Sequence, residues 1–579
     1  MSTSDHRGAG AALPITPFPG GRPAASKVQS NIIYEIMTRQ ESDGLCVPLQ
    51  IGKGKFAKVY KAWQRSAGRN IRPVAIKVLH DYANKAAERL FKQELDLLKE
   101  LTTNANVVET VDITHLGPMV MCGCGQVYHP HCPRCGALPL QRRDPPDEIY
   151  PALHCSGCGY ELSGQHVDQQ TADLLRPPAK LCCQSGPRAR SGVIINCVER
   201  EVLVMELLDH DFTDFTALRR RTLHKICQAY GIPLEVSGVV AAAAAPETSL
   251  MGRLLPGRKA KSEVALLQRA VLLEKLQLVI QLGETVAWMH GEKKVVHKDL
   301  APDNVMVKIH GRGAQHLREL AFSELLDDLV CHPGVTVKVI DFGLADKDQL
   351  SRSWYEEEDA KGLIKSPYMS PEARERITEI TESVLFDPAG SRFQIPQNLY
   401  TSPLSVMPGD ILADQNDASH DYDLEIEEIV KEPSGRVYAR YRGDPPPTPL
   451  NRRFILVRRL GEPHDVYSLG ALLYYVLTGN HGDVDQLASL VRVLRDAPCE
   501  LTPVSLMRYP NYPIRRDAIR EPFFRDELMG LILRAMVRGQ PQSLVPDRMV
   551  RGPQSALRFL QELKRIYHGL QADYWAQRR

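Results

Sequence analysis

The sequence lacks the features that would place the chain in or across a membrane. It contains no run of about 18 or more apolar residues, so we expect no transmembrane helix. Its start, MSTSDHRGAGAALPITPFPGG, lacks the charged-then-apolar order of a signal peptide. The formal net charge of +2 gives no overall attraction to nucleic acid or to an anionic membrane. We therefore expect a cytoplasmic protein that binds neither.

The composition is that of a globular protein, with 43% hydrophobic and 25% charged residues. A chain of 579 residues is longer than one compact domain of ordinary size needs. It therefore holds either several domains or one large domain with insertions. Residues 1–30 are rich in Gly, Pro, Ser and Ala, and we expect this segment to be disordered.

Eight of the 13 cysteines lie between residues 122 and 183. Disulfides are not the default for a chain without a secretion signal. The pairs Cys132-x2-Cys135 and Cys155-x2-Cys158 have the spacing of a zinc ribbon. A glycine follows Cys135 and another follows Cys158, which allows the tight turns that aim two thiolates at one metal ion. We predict a zinc-ribbon-like insertion over residues 117–190.

The sequence leaves the zinc count and the cysteine pairing open. One ion could bind the two C-x2-C pairs, and a second ion could bind the remaining four cysteines. Alternatively, the first four cysteines form one site and the last four form another. Either arrangement is closed to substrate, so the expected role is structural. The remaining cysteines are Cys122, Cys124, Cys182 and Cys183.

Two early motifs predict contacts with nucleotide phosphates. In IGKGKFAKVYKA, which starts at Ile51, Gly52 and Gly54 would bring backbone amides close to phosphate oxygens. In VAIKVL (74–79), Lys77 lies in a β-branched run typical of a strand. It could hold phosphates if a carboxylate positions it. Glu94 is the candidate, because its apolar helix neighbours would turn it inward.

Two later motifs predict the reacting groups. In VKVIDFGLAD (337–346), apolar strand residues lead to Asp341, which could bind Mg²⁺ that bridges the phosphates. In VVHKDLAPDN (295–304), Asp299 could act as the base and Asn304 as a second metal ligand.

The order of these motifs resembles that of the eukaryotic-type (Hanks-type) serine/threonine protein kinases. SPYMSPEA (366–373) and HDVYSLGALLYYVLTG (464–479) extend the resemblance. The resemblance implies an α+β, bilobal fold over residues 45–570, with a β-rich N-lobe and a helical C-lobe. It also implies that Asp465 supports the catalytic loop and that Arg548 is the buried partner of Glu372.

The resemblance further implies an adenine site beside EVLVMELLD (201–209), which looks like the strand that leads into the interlobe linker. Met205 would stand at the back of the adenine pocket, and backbone groups of Glu206 and Leu208 would bind the adenine edge. The side chains that would close around the ring are Ile51, Val59, Ala75 and Met306.

Two residues of the predicted catalytic loop depart from the family pattern. Lys298 replaces an arginine and cannot make its planar two-pronged contact, which predicts weaker dependence on activation-segment phosphorylation. Ala301 replaces a lysine near the transferred phosphate. We hypothesise that Lys365 supplies this charge. The equal alternative is that Lys365 is an exposed loop residue.

The sequence predicts further insertions, and two of them are the most distinctive. Residues 211–263 combine a helical stretch with the low-complexity AAAAAPETS. Residues 376–462 alternate like short strands broken by turns, which predicts a small antiparallel β-module. That module could dock or gate a protein substrate, or it could be passive. Partners could bind through the zinc ribbon or the β-module.

These observations predict an ATP- and Mg²⁺-dependent protein kinase that phosphorylates serine or threonine in proteins, itself included. One alternative is a pseudokinase-type scaffold that binds nucleotide and recruits partners through its insertions. A small-molecule kinase is disfavoured because the activation segment is present. Tyrosine kinases also have alanine at the position of Ala301, but they carry an arginine nearby, where this chain reads Pro302-Asp303.

Overall fold

The structure is a computed structural model in which part of the chain is described. The described residues are 13–15, 32–40, 46–54, 57–66, 69–79, 85–121, 127–128, 141–142, 153–154, 161–162, 166–167, 193–194, 196–229, 258–310, 322–331, 334–345, 367–370, 373, 377–380, 383–396, 406, 408–414, 423–445, 452–458, 461–495, 522–536 and 555–578.

The chain divides into two compact units. The first unit comprises Met1–Thr102 and Val108–Leu208, and the second comprises Thr103–Val107 and Asp209–Arg579.

The first unit is built on an antiparallel sheet and one long helix. The sheet order is β1-β2-β6-β7-β15-β8-β9, and β5 pairs with β6. The helix is α1 (Lys85–Leu101). The strands of this sheet are β1 (Leu13–Ile15), β2 (Ile32–Ile36), β5 (Gln50–Lys53), β6 (Ala57–Ser66), β7 (Arg69–Leu79), β8 (Thr110–Met121), β9 (Val127–Tyr128) and β15 (Asn196–Glu206).

The core of this sheet follows the two-residue period of its strands. Val74, Ile76 and Val78 alternate along β7 and are buried, and they pack with Val202 and Val204 of β15. This alternation turns Lys77 to the opposite face of β7. The sequence pattern thus sets both the core and the side on which the lysine lies.

Short strand pairs complete the first unit. β3 (Thr38–Gln40) pairs with β4 (Cys46–Pro48). β10 (Gln141–Arg142), β11 (Leu153–His154) and β12 (Glu161–Leu162) form a three-stranded sheet, and β13 (His166–Val167) pairs with β14 (Val193–Ile194). The eight cysteines predicted to bind zinc all lie outside the described residues.

The second unit is mainly helical. Helix α5 (Glu462–Thr478) is buried from His464 to Leu477. Helices α7 (Pro522–Met536) and α8 (Ala556–Arg578) both pack against it. Helix α8 also packs along α3, which continues into a π-helical turn at Met289–Lys293. The helices are α2 (Phe212–Ala229), α3 (Arg258–Trp288), α4 (Phe322–Cys331), α5 (Glu462–Thr478), α6 (His481–Arg495), α7 (Pro522–Met536) and α8 (Ala556–Arg578).

Two sheets belong to the second unit. The smaller one has the order β16-β17-β18, formed by His210–Asp211, Val305–Ile309 and Val335–Val339. The larger one has seven antiparallel strands in the order β19-β25-β22-β23-β24-β21-β20. These are β19 (Ile377–Ile380), β20 (Leu385–Asp387), β21 (Arg392–Gln394), β22 (Ile411–Asp414), β23 (Leu424–Lys431), β24 (Val437–Arg442) and β25 (Phe454–Val457).

The seven-stranded sheet has a hydrophobic core of its own. Phe393, Leu412, Leu424 and Leu456 are among its fully buried members, and Phe386 packs against them. A separate apolar core of this size is what allows a sheet to hold its shape within a larger chain.

The predicted α+β, kinase-like fold class is confirmed, with a strand-rich first unit and a helix-rich second unit. Among the described residues, no helix is both long and apolar enough to cross a membrane.

Candidate active site

The glycine-containing hairpin lies in the first unit, between β5 and β6. Gly52 pairs with Val59, and the Gly54 N–H donates to the Ala57 carbonyl at 2.8 Å. A Cβ atom on Gly52 would lie 3.4 Å from the Val59 Cβ, in van der Waals contact with the neighbouring strand. Ile51, which begins the hairpin, is 48% exposed. The hairpin therefore presents backbone rather than side chains at its two glycines.

The structure brings Lys77 and Glu94 together. The Lys77 Nζ donates to both carboxylate oxygens of Glu94 at 2.7 Å. Glu94 is 2% exposed because α1 turns it inward beside the buried Leu97 and Leu98. A charge pair with this little solvent is screened far less than a surface pair. Glu94 thereby holds the lysine in one orientation.

The residues predicted to line an adenine pocket fall on neighbouring strands of the first unit. Met205 on β15 is directly opposite Ala75 on β7, and Val59 on β6 is opposite Lys77. The Glu206 N–H donates to the Glu109 carbonyl at 3.0 Å, and the Glu206 carboxylate accepts from the Glu109 N–H at 2.9 Å.

Leu208 follows β15 and is buried. Met306 lies in the second unit, on β17, where it pairs with Lys338.

The predicted catalytic loop is held through its backbone by Asp465, near the start of α5. The carboxylate accepts from the His297 N–H at 2.8 Å and from the Lys298 N–H at 2.9 Å. It also contacts the His290 Nε2 at 2.8 Å. Burial by itself raises the pKa of this carboxyl, but the hydrogen bond to His290 and the electrostatic interactions with the neighbouring imidazoles together outweigh burial and lower the pKa to about 2. Asp465 therefore supports the loop as an anion, as the sequence predicts.

Asp299 and Asn304 also lie together. The Asn304 Nδ2 donates to the Asp299 Oδ2 at 2.7 Å and to its carbonyl oxygen at 2.8 Å. Pro302–Asn304 form a 3-10 turn, which brings the ends of this short segment within reach of each other. Since the amide nitrogen of Asn304 is used by Asp299, its amide oxygen is the atom that could reach a metal ion.

The segment of Asp341 is tied to the catalytic loop. The Ile340 N–H donates to the Asn304 carbonyl at 3.0 Å, and the His297 Nε2 lies 3.1 Å from the Ile340 carbonyl. The His297 ring meets the buried Phe342 edge-on, with centroids 5.0 Å apart. Asp341 itself has φ 61°, in the left-handed region that non-glycine residues seldom adopt. Such strain persists where the surroundings hold it, as at functional sites.

The donor atoms fit the implied magnesium ion. Asn304 and Asp341 offer oxygen ligands, which Mg²⁺ prefers, and it commonly takes one or two protein ligands beside phosphates and water. Within the described part of the chain, no group of three or more His, Cys, Asp or Glu side chains could hold a metal ion.

Several predicted residues cannot be placed. Lys365, the acidic run 356–359, Glu372 and Arg548 all lie outside the described residues. The predicted ion pair of Glu372 with Arg548 and the role of Lys365 therefore stay predictions.

Three buried residues near the loop were missed by the motif-based reasoning: His290, Ser370 and His464. Each contributes a hydrogen bond to the loop or to the residues that support it. Ser370 and His464 stand inside motifs that the sequence analysis singled out, where Ser replaces Ala and His precedes Asp465. Ser370 and His464 are 94 positions apart, and no local sequence pattern predicts a contact at that separation.

A comparison with protein-family models matches the chain to the protein tyrosine and serine/threonine kinases over residues 46–123 and 192–384. No curated protein matches the chain in a sequence search. The matched segments contain the glycine hairpin, the Lys77–Glu94 pair, the catalytic loop and Asp341. Over these two segments the chain matches the protein kinase family.

Proposed function

We propose that this protein transfers the γ-phosphate of ATP to serine or threonine hydroxyls of proteins, including its own. The match to the protein kinase family supports phosphoryl transfer to proteins. The observation that carries the proposal is the buried arrangement of Asp299 with Asn304 at 2.7 Å, on a loop whose backbone is held by Asp465.

Asp299 is the proposed base. It would orient the attacking hydroxyl and accept its proton, while most of the catalysis comes from positioning and charge. Asn304 holds one carboxylate oxygen of Asp299 and so fixes the side chain's direction. In the protein kinase class, Mg²⁺ bound with the nucleotide neutralises charge on the phosphates, and Asn304 and Asp341 would hold it here.

The nucleotide contacts of the first unit are proposed from its strand register. Lys77, held by Glu94, would bind the phosphates of ATP. Because the Glu206 N–H is bonded to Glu109, its carbonyl oxygen is the group that would accept from the adenine amino group. Leu208 would supply an N–H, with Met205, Ala75 and Val59 beside the ring. Ile51 and Met306 complete the proposed adenine-contacting set.

Incubation of the pure protein with labelled ATP and Mg²⁺, beside the Asp341→Ala variant, tests the activity. We expect label on the wild type and on protein substrates, loss of label in the variant, and phosphosites on serine and threonine by mass spectrometry. If phosphotyrosine is the only phosphorylated residue found, the proposed specificity for serine and threonine is wrong. Nucleotide binding without label transfer, unchanged by Asp299→Asn, would favour a pseudokinase scaffold instead.

The departures at Lys298 and Ala301 give a second test. We propose that Lys365 replaces the positive charge absent at Ala301, so Lys365→Ala should lower kcat by orders of magnitude. An unchanged kcat would make it an ordinary loop lysine. Because Lys298 cannot grip a phosphate with two prongs, replacing Ser351, Ser353, Tyr355 and Ser366 together should leave most activity in place.

We also propose that the cysteine-rich segment binds one or two structural zinc ions. In support, β11 and β12 pair antiparallel on either side of the sequence that contains Cys155 and Cys158. The family match is interrupted between residues 123 and 192, which supports an insertion here. Zinc measured in the purified protein should fall in the Cys155→Ser/Cys158→Ser variant and stay unchanged in Cys331→Ser. Equal zinc in both variants would contradict the site.

The seven-stranded sheet lies within the segment 376–462, and we propose that this β-module binds a protein partner or substrate. Its independent core supports a self-contained module. The cytoplasmic location expected from the sequence stays a prediction.

A further inference from the structure

His464 contacts two functional segments with the two nitrogens of one ring. Its Nε2 lies 3.0 Å from the carbonyl oxygen of Lys298 in the catalytic loop. Its Nδ1 lies 2.9 Å from the Oγ of Ser370, at the end of the activation segment. His464 is 3% exposed and Ser370 is 4% exposed, so water does not compete for either contact. The imidazole therefore bridges the loop and the segment.

The chemistry of the partners determines how this ring is protonated. A carbonyl oxygen can only accept, so the Nε2 must carry a hydrogen and donate to Lys298. In a neutral ring the Nδ1 is then an acceptor, and the Ser370 hydroxyl donates to it. The bridge thus runs in one direction, from the Ser370 hydroxyl through the imidazole to the Lys298 carbonyl.

The peptide that receives this bond is conformationally unusual. Lys298 has φ 66°, in the left-handed region that side chains with a Cβ disfavour. Its N–H is held by the Asp465 Oδ1 at 2.9 Å, and its carbonyl is held by His464. Two consecutive residues of α5 therefore clamp the strained residue from both sides. The next residue along the chain is Asp299, so the clamp sets where the base begins.

The other side of the bridge is anchored to the same helix. The Ser468 hydroxyl, one turn after His464, donates to the Tyr368 carbonyl at 2.8 Å. The Tyr467 hydroxyl lies 3.5 Å from the Pro367 carbonyl. These contacts hold residues 367–370 on the face of α5 that also carries His464. A displacement of this segment would move Ser370 and break the hydrogen bond that its hydroxyl donates to the Nδ1 of His464.

We propose that His464 is a positioning residue that couples residues 367–370 to the backbone conformation of Lys298, and so to the placement of Asp299. Its effect on rate rests on the protein kinase activity proposed above, whereas its effect on the loop backbone does not. It touches neither substrate nor nucleotide in this role. When residues 367–370 are held on α5, Asp299 is therefore kept in its catalytic position. When these residues are displaced, Asp299 is held less firmly.

Two amide variants separate the halves of the bridge. In His464→Gln, the side-chain amide reaches about as far as the Nε2 and can still donate to Lys298. In His464→Asn, it reaches about as far as the Nδ1 and can meet Ser370 only. We expect His464→Asn to lower kcat about 10- to 100-fold with little change in KM for ATP, because a small displacement of a catalytic group has effects of this size. His464→Gln should retain most of the rate.

A double-mutant cycle tests the coupling to the segment. Ser370→Ala should lower kcat only slightly, by the same small factor as His464→Gln, and should have no further effect in the His464→Gln background, in which the link to Ser370 is already broken. Thr478→Val serves as the control, because it removes a hydroxyl that bonds within the same helix, to the Tyr474 carbonyl. We expect its kcat to equal that of the wild type.

Hydrogen exchange of the peptide that contains Lys298 gives a readout that does not depend on activity. His464→Asn should speed its exchange severalfold, whereas Asp299→Asn and Thr478→Val should not. If the wild type transfers no phosphate but His464→Asn still loosens this peptide, the positioning role stands and the proposed activity fails. If both His464 variants keep wild-type kcat and exchange, the proposal is wrong. It is also wrong if both lose thermal stability equally without a change specific to this peptide.

Discussion

The two units position their functional residues in different ways. In the first unit, Lys77 is oriented through its side chain by the carboxylate of Glu94, on a helix that packs beside the sheet. In the second unit, the catalytic loop is held through its backbone, by Asp465 at two N–H groups and by His464 at a carbonyl. A side-chain contact depends on one carboxylate. Because Asp465 and His464 bind backbone groups, the side chains of the loop can be replaced without removing the contacts that hold the loop.

The largest effect should come from Asp299→Asn, which removes the proposed base from a loop that stays in place. We expect kcat to fall about 10²- to 10⁴-fold, the usual range for a general base. ATP binding and the melting temperature should stay close to wild type, because Asp465 holds the neighbouring backbone.

Steady-state kinetics and a thermal melt measure this pair of outcomes. Asp303→Asn, at an exposed position of the same 3-10 turn, is the matched control and should keep its rate. A large fall in melting temperature of Asp299→Asn would mean that the loop is not held by its backbone alone.

Glu94→Gln should have the next largest effect, and a different pattern. The amide keeps the shape of Glu94 but loses the charge that orients Lys77, so KM for ATP should rise and kcat should fall together, by about 10- to 100-fold in kcat/KM. Glu88→Gln is the control on the same helix, where the carboxylate pairs with Lys92 at 2.8 Å on the surface. Glu88→Gln should behave as wild type. A Glu94→Gln enzyme with unchanged kinetics would remove the contrast between the two units.

Acid should weaken the second unit through Asp465. Its folded-state pKa of about 2 lies below the usual aspartate value near 3.9 in the unfolded chain. The carboxylate therefore stabilises the folded state above about pH 4, and that contribution, about 2–3 kcal/mol, is lost as the pH falls toward 2.

Urea unfolding of wild type and Asp465→Asn, at a series of pH values from 6 down to about 2, measures the difference in the free energy of unfolding. The difference should shrink as the pH falls through this window. A constant difference would show that the clamp does not depend on the charge of Asp465.

The smallest effects should come from two glycine substitutions, and the larger of these is Gly470→Ala, in the middle of α5. A Cβ atom there would lie 2.8 Å from the Ala535 Cβ on α7, too close for two side chains, and 3.3 Å from the Ile532 carbonyl oxygen. Helix α5 would have to shift, which typically costs about 1–3 kcal/mol of unfolding free energy.

Gly569→Ala, on the exposed face of α8 with no atom within 4 Å of the new Cβ, should instead stabilise the protein by about 0.5–1 kcal/mol. Chemical denaturation of both variants tests the pair. If Gly470→Ala is as stable as wild type, α5 is not packed tightly enough to act as the rigid support of the loop.

Much of the active site can be predicted from the sequence because its chemistry is local. Asp299 and Asn304 are five positions apart, with the 3-10 turn Pro302–Asn304 at the end of this spacing, and the apolar run before Asp341 is a single strand. The ion pair of Lys77 with Glu94 spans 17 positions and needs only a strand followed by an inward-facing helix turn. Such pairs follow from strand and helix periodicity.

The bridge through His464 could not be predicted in the same way. It joins residues that are 94 and 166 positions apart, and nothing in the local motifs of the three residues links them to one another. The left-handed backbone conformation of Lys298 could not be predicted from the sequence either, because lysine has no preference for that conformation. Only the packing of α5 under the loop brings the clamp, the loop and the segment end together.

The sequence by itself determined the resemblance to the protein kinases, the residue types of the candidate site and their order along the chain, since phosphoryl transfer requires these charged groups. The tertiary structure decided how each residue is held. Glu94 is buried beside Lys77 because α1 packs on the sheet. The loop is fixed because His464 and Asp465 lie in the first turn of a helix that is buried from His464 to Leu477. The physical reason is that burial removes competing water, so the contacts made there, rather than the local sequence, set the geometry.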